Sequence, residues 1–113
     1  LTTCVSVQII LPASADSTAD LMLSLRCPNE YTVNIWQRQR SGELLYRGTG
    51  LLGHLSLGDG KRENTGSAQV YKFVNGEYRY QVLGGTREHQ GQGTLEVFKN
   101  DRSVLSQVCT IES

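Results

Sequence analysis

The chain has 113 residues, 38% hydrophobic and 19% charged, with eleven basic side chains balanced by eleven acidic ones. That length supports one core rather than two domains, and a net charge of zero argues against nucleic acid, which rewards a basic surface through counterion release, and against an acidic membrane surface. Twelve glycines and only two prolines among many Val, Leu, Thr and Tyr residues predict an all-β domain, and no stretch is apolar for long enough to span a bilayer as a helix.

Residues 1–15 contain no charged side chain. The apolar run at 5–11 leads into Ala13-Ser14-Ala15, with small residues at the first and third positions before a cut in front of Asp16. This reads as the remnant of a signal peptide over 1–15, followed by a single β domain over 16–113. Two other readings stay open. Val5, Val7, Ile9 and Leu11 alternate as a first strand would, and Leu1-Thr2-Thr3-Cys4 can be taken as a lipoprotein box with a lipidated Cys4. With Cys4 assigned to the signal, Cys27 and Cys109 remain, one near each end of the domain, and are expected to form a disulfide. The alternative is two unpaired buried thiols in a cytosolic protein.

Residues 21–27 form a strand with Leu21, Leu23, Leu25 and Cys27 on one face. After a turn at Pro28-Asn29, a second strand spans 31–39, placing Tyr31, Val33 and Ile35 on one face and Asn34, Trp36 and Arg38 on the other. Ser41-Gly42 turns the chain into a return strand at 43–49 that carries Arg47, and 54–57 makes a further short strand. The stretch 58–66, with Asp59-Gly60, Lys61 and Arg62, reads as the longest polar loop. Asn75-Gly76 then sits between two alternating runs, the strongest short signal for a hairpin. A turn centred there pairs Phe73 with Tyr78 and Tyr71 with Tyr80, and puts these aromatics with Val82 in the core. A Gly-rich connection over 84–92 leads to a last hairpin around Asn100-Asp101, whose loop length of two or three residues decides which face Cys109 occupies. The sum is an antiparallel meander of seven or eight strands that closes as a small barrel or folds over as a sandwich.

Residues that carry chemistry are sparse. His54 and His89 lack partners at metal-ligand spacing, no nucleophile-elbow or phosphate-loop pattern occurs, and acidic residues are scattered. The expectation is a protein without catalytic activity, metal or cofactor. Two surfaces are left for recognition. Trp36 on the polar face, with Arg38 beside it and Arg47 on the returning strand, makes a stacking platform suited to sugar rings or to a protein hot spot. The competing reading has that face covered and Trp36 in the core. Lys61 and Arg62 in the polar stretch are the second candidate, against a plain solvated connection.

Leu23, Leu25 and Cys27, then Trp36-Gln37-Arg38-Gln39, Leu44-Leu45-Tyr46, Gly76-Glu77-Tyr78-Arg79-Tyr80 and Gly91-Gln92-Gly93-Thr94-Leu95 together resemble the strands of an immunoglobulin variable domain, although Tyr80 stands where that family has its second cysteine. Cys27, Thr65-Gly66-Ser67, Tyr71 and Cys109 resemble the plan of small periplasmic β-barrels of the C-type lysozyme-inhibitor kind. The Tyr71 to Tyr80 hairpin followed by Gly93-Thr94-Leu95 resembles small exported β proteins of cyanobacteria. The signal reading, the absence of chemistry and the two long polar connections over 58–66 and 84–92 point to a secreted or periplasmic, non-enzymatic module that binds a protein or glycan through a sheet face or those loops. The resemblance to lysozyme-inhibitor barrels implies the alternative, an inhibitor of a cell-wall hydrolase.

Overall fold

The computed structural model describes residues 18–66, 68–84 and 91–112. Cys4, the run at 5–11, the cleavage site before Asp16, Ser67 and His89 lie outside the described residues. Eight strands follow one another: β1 (Ala19–Cys27), β2 (Tyr31–Arg38), β3 (Leu44–Gly50), β4 (Gly53–Asn64), β5 (Gln69–Asn75), β6 (Tyr78–Gly84), β7 (Gln92–Lys99) and β8 (Arg102–Ile111). Each pairs antiparallel with the next, and β8 returns to β1, so the sheet closes as a barrel. Among the described residues no helix is long and apolar enough to cross a membrane.

An eight-stranded barrel has an interior just wide enough to be filled by side chains. Here Leu25, Val33, Ile35, Tyr46, Phe73, Val82 and Leu95 fill it, all essentially inaccessible to solvent. Tyr46 is the hub. Its ring centroid lies 5.5 Å from that of Phe73 and 5.4 Å from that of Tyr80, both tilted, a geometry that aligns ring edges with ring faces. Its hydroxyl is 2.8 Å from the Tyr31 hydroxyl, so the one polar atom of the hub is satisfied.

Burial, reinforced by the hydrogen bond with Tyr31, pushes the Tyr46 phenol far above its ordinary value of 10.0. Above that ordinary value the unfolded chain loses this proton while the folded chain keeps it. The stability tied to the group is therefore complete below about pH 10 and declines as pH rises toward the folded value. Tyr46→Phe is expected to make the alkaline limb of a stability–pH curve shallower, by up to about 1.4 kcal/mol per pH unit. Urea denaturation at stepped alkaline pH measures this. An unchanged slope would mean that Tyr46 ionises freely in the fold.

Three sequence expectations are corrected. First, the four apolar residues of β1 do not share a face. Leu21 pairs with Trp36 but Leu23 pairs with Ile35, so Met22 is the extra residue of a bulge. A bulge inverts the alternation, which sends Ala19 and Leu21 outward and leaves Leu23, Leu25 and Cys27 inward. Second, the β5–β6 hairpin is shifted by two residues. Asn75 pairs with Tyr78, Phe73 with Tyr80 and Tyr71 with Val82. The turn is thus Gly76-Glu77, with Gly76 at φ 64° in the first central position, the one that a type II′ turn reserves for glycine. A two-residue slip preserves faces, so Tyr71, Phe73, Tyr80 and Val82 are still inward and Tyr78 moves to the rim. Third, residues 58–64 are not a loop. They are the second half of β4, which pairs first with β3 and then with β5. A bulge near Asp59, at φ 53°, bends the strand from one neighbour to the other.

The β7–β8 loop has two residues, Asn100 and Asp101, at φ 48° and 67°, as a type I′ turn requires. A register shift between Val97 and Phe98 leaves Val104 unpaired, which brings Cys109 to the inner face. The closing seam is short: Leu25 pairs with Ile111 and Arg26 with Thr110, the Glu112 amide donates to the Ser24 carbonyl at 2.9 Å, and Arg26 meets Glu112 at 2.9 Å in solvent. One position further along the same register stand Cys27 and Cys109, joined as a disulfide with Cα atoms 4.3 Å apart. That separation is near the ordinary spacing of a close, non-hydrogen-bonded antiparallel pair.

Candidate functional site

The outer face of β1 to β4 carries the residues that the sequence singled out. Strand alternation and the β1 bulge align Leu21, Trp36 and Leu45 in one cross-strand row, and Ser24, Asn34, Arg47 and Ser56 in the next. Trp36 is partly exposed and stands outside the barrel, whose interior is complete without it. Leu45 is buried although it also points outward. Trp36 is its pairing neighbour on β2, and a Cβ at Gly58 on β4 would stand 3.8 Å from Leu45 Cδ2.

Polar groups frame this row. Arg38 Nε donates to Glu43 Oε1 at 3.0 Å, and the Asp59 amide donates to Glu43 Oε2 at 3.1 Å. Both carboxylate oxygens are thus used to hold the end of β2 against the β4 bulge. Arg47 Nη1 donates to the Tyr46 carbonyl at 3.2 Å, and Ser24 Oγ donates to Asn34 Oδ1 at 2.6 Å. The fold therefore brings Trp36, Arg38 and Arg47 together on one face. Lys61 lines a shallow polar recess with Ser41, Glu43 and Asp59, beside the Arg38–Glu43 pair. Arg62, its neighbour on β4, alternates to the other face opposite Tyr71 and stays apart from the group.

Sequence reasoning missed a second region. The turns at 28–30, 51–52, 76–77 and 100–101 gather at one end of the barrel. Between the first two a cavity of about 480 Å³ opens, lined by apolar Pro28, Tyr31, Leu51, Leu52, Leu55 and Leu105 and by polar Asn29, His54 and Gln107. Leu51 and Leu52 are 75% and 105% exposed at the tip of a two-residue hairpin loop, where Asn, Asp and Gly are the usual occupants. That substitution of leucine for turn formers, between Gly50 and Gly53, was the available signal.

Among the described residues no group of three or more His, Cys, Asp or Glu is placed so that it could hold a metal ion. His54 Nδ1 lies 3.3 Å from Thr49 Oγ1 on the exposed rim. What the arrangement offers is shaped surface: an indole with cationic neighbours on the sheet, and an apolar opening at one end. Compared with known proteins, the chain matches no protein-family model, no curated protein sequence and no solved structure.

Proposed function

We propose that this domain is a non-enzymatic binding module of an oxidising, extracytoplasmic compartment, and that it recognises a protein or glycan ligand through the Trp36 face. The observation that carries this reading is the position of Trp36. It is dispensable to the barrel interior, yet it stands on a rigid sheet with Leu21, Arg38 and Arg47 around it. Trp and Arg are the side chains that most often dominate recognition surfaces, and an indole face also stacks on sugar rings. The bridge between Cys27 and Cys109 supports export, because structural disulfides persist where thiols are not kept reduced.

Trp36 is the only tryptophan in the chain, so its emission reports its own surroundings. Titration with soluble peptidoglycan fragments and chito-oligosaccharides is expected to shift or quench that emission saturably if the ligand is a glycan. Stoichiometric suppression of lysozyme in a turbidity assay, reduced about tenfold or more by Trp36→Ala, is the expected result if the ligand is a cell-wall hydrolase. Near-ultraviolet circular dichroism would check that the variant stays folded. Silence in both assays removes the support for this face.

A further inference from the structure

Tyr31 begins β2 on the inner face of the barrel, where an upright aromatic ring would plug the opening. It lies down instead. A Cβ at Gly48 would overlap the Tyr31 hydroxyl and ring, and a Cβ at Gly50 would stand 2.7 Å from Cδ1 of the same ring. The two glycines of β3 thus form a bed for the ring, and the hydrogen bond to Tyr46 fixes it there. The ring becomes the floor of the cavity rather than its stopper. The walls are Leu55 and Leu105, and the lip is the Leu51-Leu52 tip.

Three properties of this opening define an occupant. Its volume of about 480 Å³ falls in the range of small-molecule sites. No Asp, Glu, Lys or Arg is among its lining residues, so no permanently charged side chain there would compensate a ligand charge taken out of water. The side-chain amides of Asn29 and Gln107 belong to the same lining, which sets donors and acceptors beside an apolar hollow. An apolar surface with a few convergent polar groups is the usual composition of a site that orients one small ligand.

We propose that the barrel mouth binds a small neutral apolar molecule, ring-sized or short-chained, with one uncharged polar group directed to Asn29 and Gln107. This site is separate from the Trp36 face and does not depend on it. N-phenyl-1-naphthylamine, a neutral dye that brightens in apolar surroundings, is the probe. The intact disulfide-bonded protein is expected to bind it saturably at one dye per chain, and a neutral medium-chain alcohol is expected to displace it more effectively than the carboxylate of equal length. Leu51→Ser combined with Leu52→Ser changes only exposed side chains and leaves the core untouched; it is expected to weaken dye binding at least tenfold at an unchanged Tm. A second variant, Leu105→Trp, fills the hollow and is expected to do the same. Non-saturating brightening, or saturation identical in the wild type and both variants, would overturn the proposal. So would co-sedimentation with phosphatidylcholine vesicles in the absence of dye binding, which would assign the leucine tip to a lipid surface, or dye binding only to a self-associated form, which would assign it to a second copy of the chain.

Discussion

Cys27→Ala combined with Cys109→Ala is expected to lower the free energy of unfolding by about 4–5 kcal/mol. The bridged residues are 82 apart in sequence, so the bond removes a very large loop from the unfolded ensemble, and chain-entropy reasoning gives a value of that order. Domains of this size are stable by only about 5–15 kcal/mol in total. The effect is sharpened by where the bond lies. Every other neighbouring pair of strands is consecutive in the chain and pairs over four to eight residues, whereas β1 and β8 pair through two. Denaturation of oxidised wild type, reduced wild type and the double variant measures the loss, and amide exchange locates it. Protection is expected to fall first in β1 and β8. A loss below about 1 kcal/mol would show that the seam holds without its sulfur bond.

The second large effect concerns Phe73. Phe73→Ala is expected to cost about 3–5 kcal/mol, the usual penalty for emptying a buried aromatic site. Phe73 is 1% exposed, packs against Tyr46 and lies over Gly60 so closely that a Cβ there would overlap the ring. The reverse substitution is therefore also damaging: Gly60→Ala forces the ring or the β4 backbone to move, at about 1–3 kcal/mol. The two sites are in contact, so their effects should not add. Combining Gly60→Ala with Phe73→Leu is expected to destabilise less than the sum of the single changes, because the smaller side chain vacates the space that the new methyl needs. Strict additivity in a thermal or urea series would refute the contact.

The inner face of β2, β5 and β6 was legible because alternation there is unbroken: Val33 and Ile35, Tyr71 and Phe73, Tyr80 and Val82 occupy the interior as period-two spacing requires. Trp36 fell outside for the same reason. The places that misled are those where one residue is added to or reassigned between strands. Met22 is apolar and gives no sign of being a bulge, yet it inverts the first half of β1. Residues 58–64 look like a loop because they are rich in glycine and charge. They form a strand because the inward position is taken by Gly60 under Phe73, while Lys61 and Glu63 need only face water. The mouth cavity was illegible on different grounds. It depends on Tyr31 reclining on Gly48 and Gly50, a contact between strands that no local pattern encodes. The disulfide followed from counting cysteines, but the register that makes it possible rests on the unpaired Val104, which sequence alone did not locate.

The arrangement of the strands also dictates an order of assembly. Seven of the eight strand pairings link consecutive segments of the chain, and only that between β8 and β1 spans it. Contacts between near neighbours form quickly, and those that enclose a long loop form late. The meander should therefore zip up hairpin by hairpin as an open ribbon, with ring closure as the concluding event. Sulfur pairing becomes possible only then, so the moment of thiol disappearance in a refolding experiment serves as a chemical timestamp for completion of the barrel.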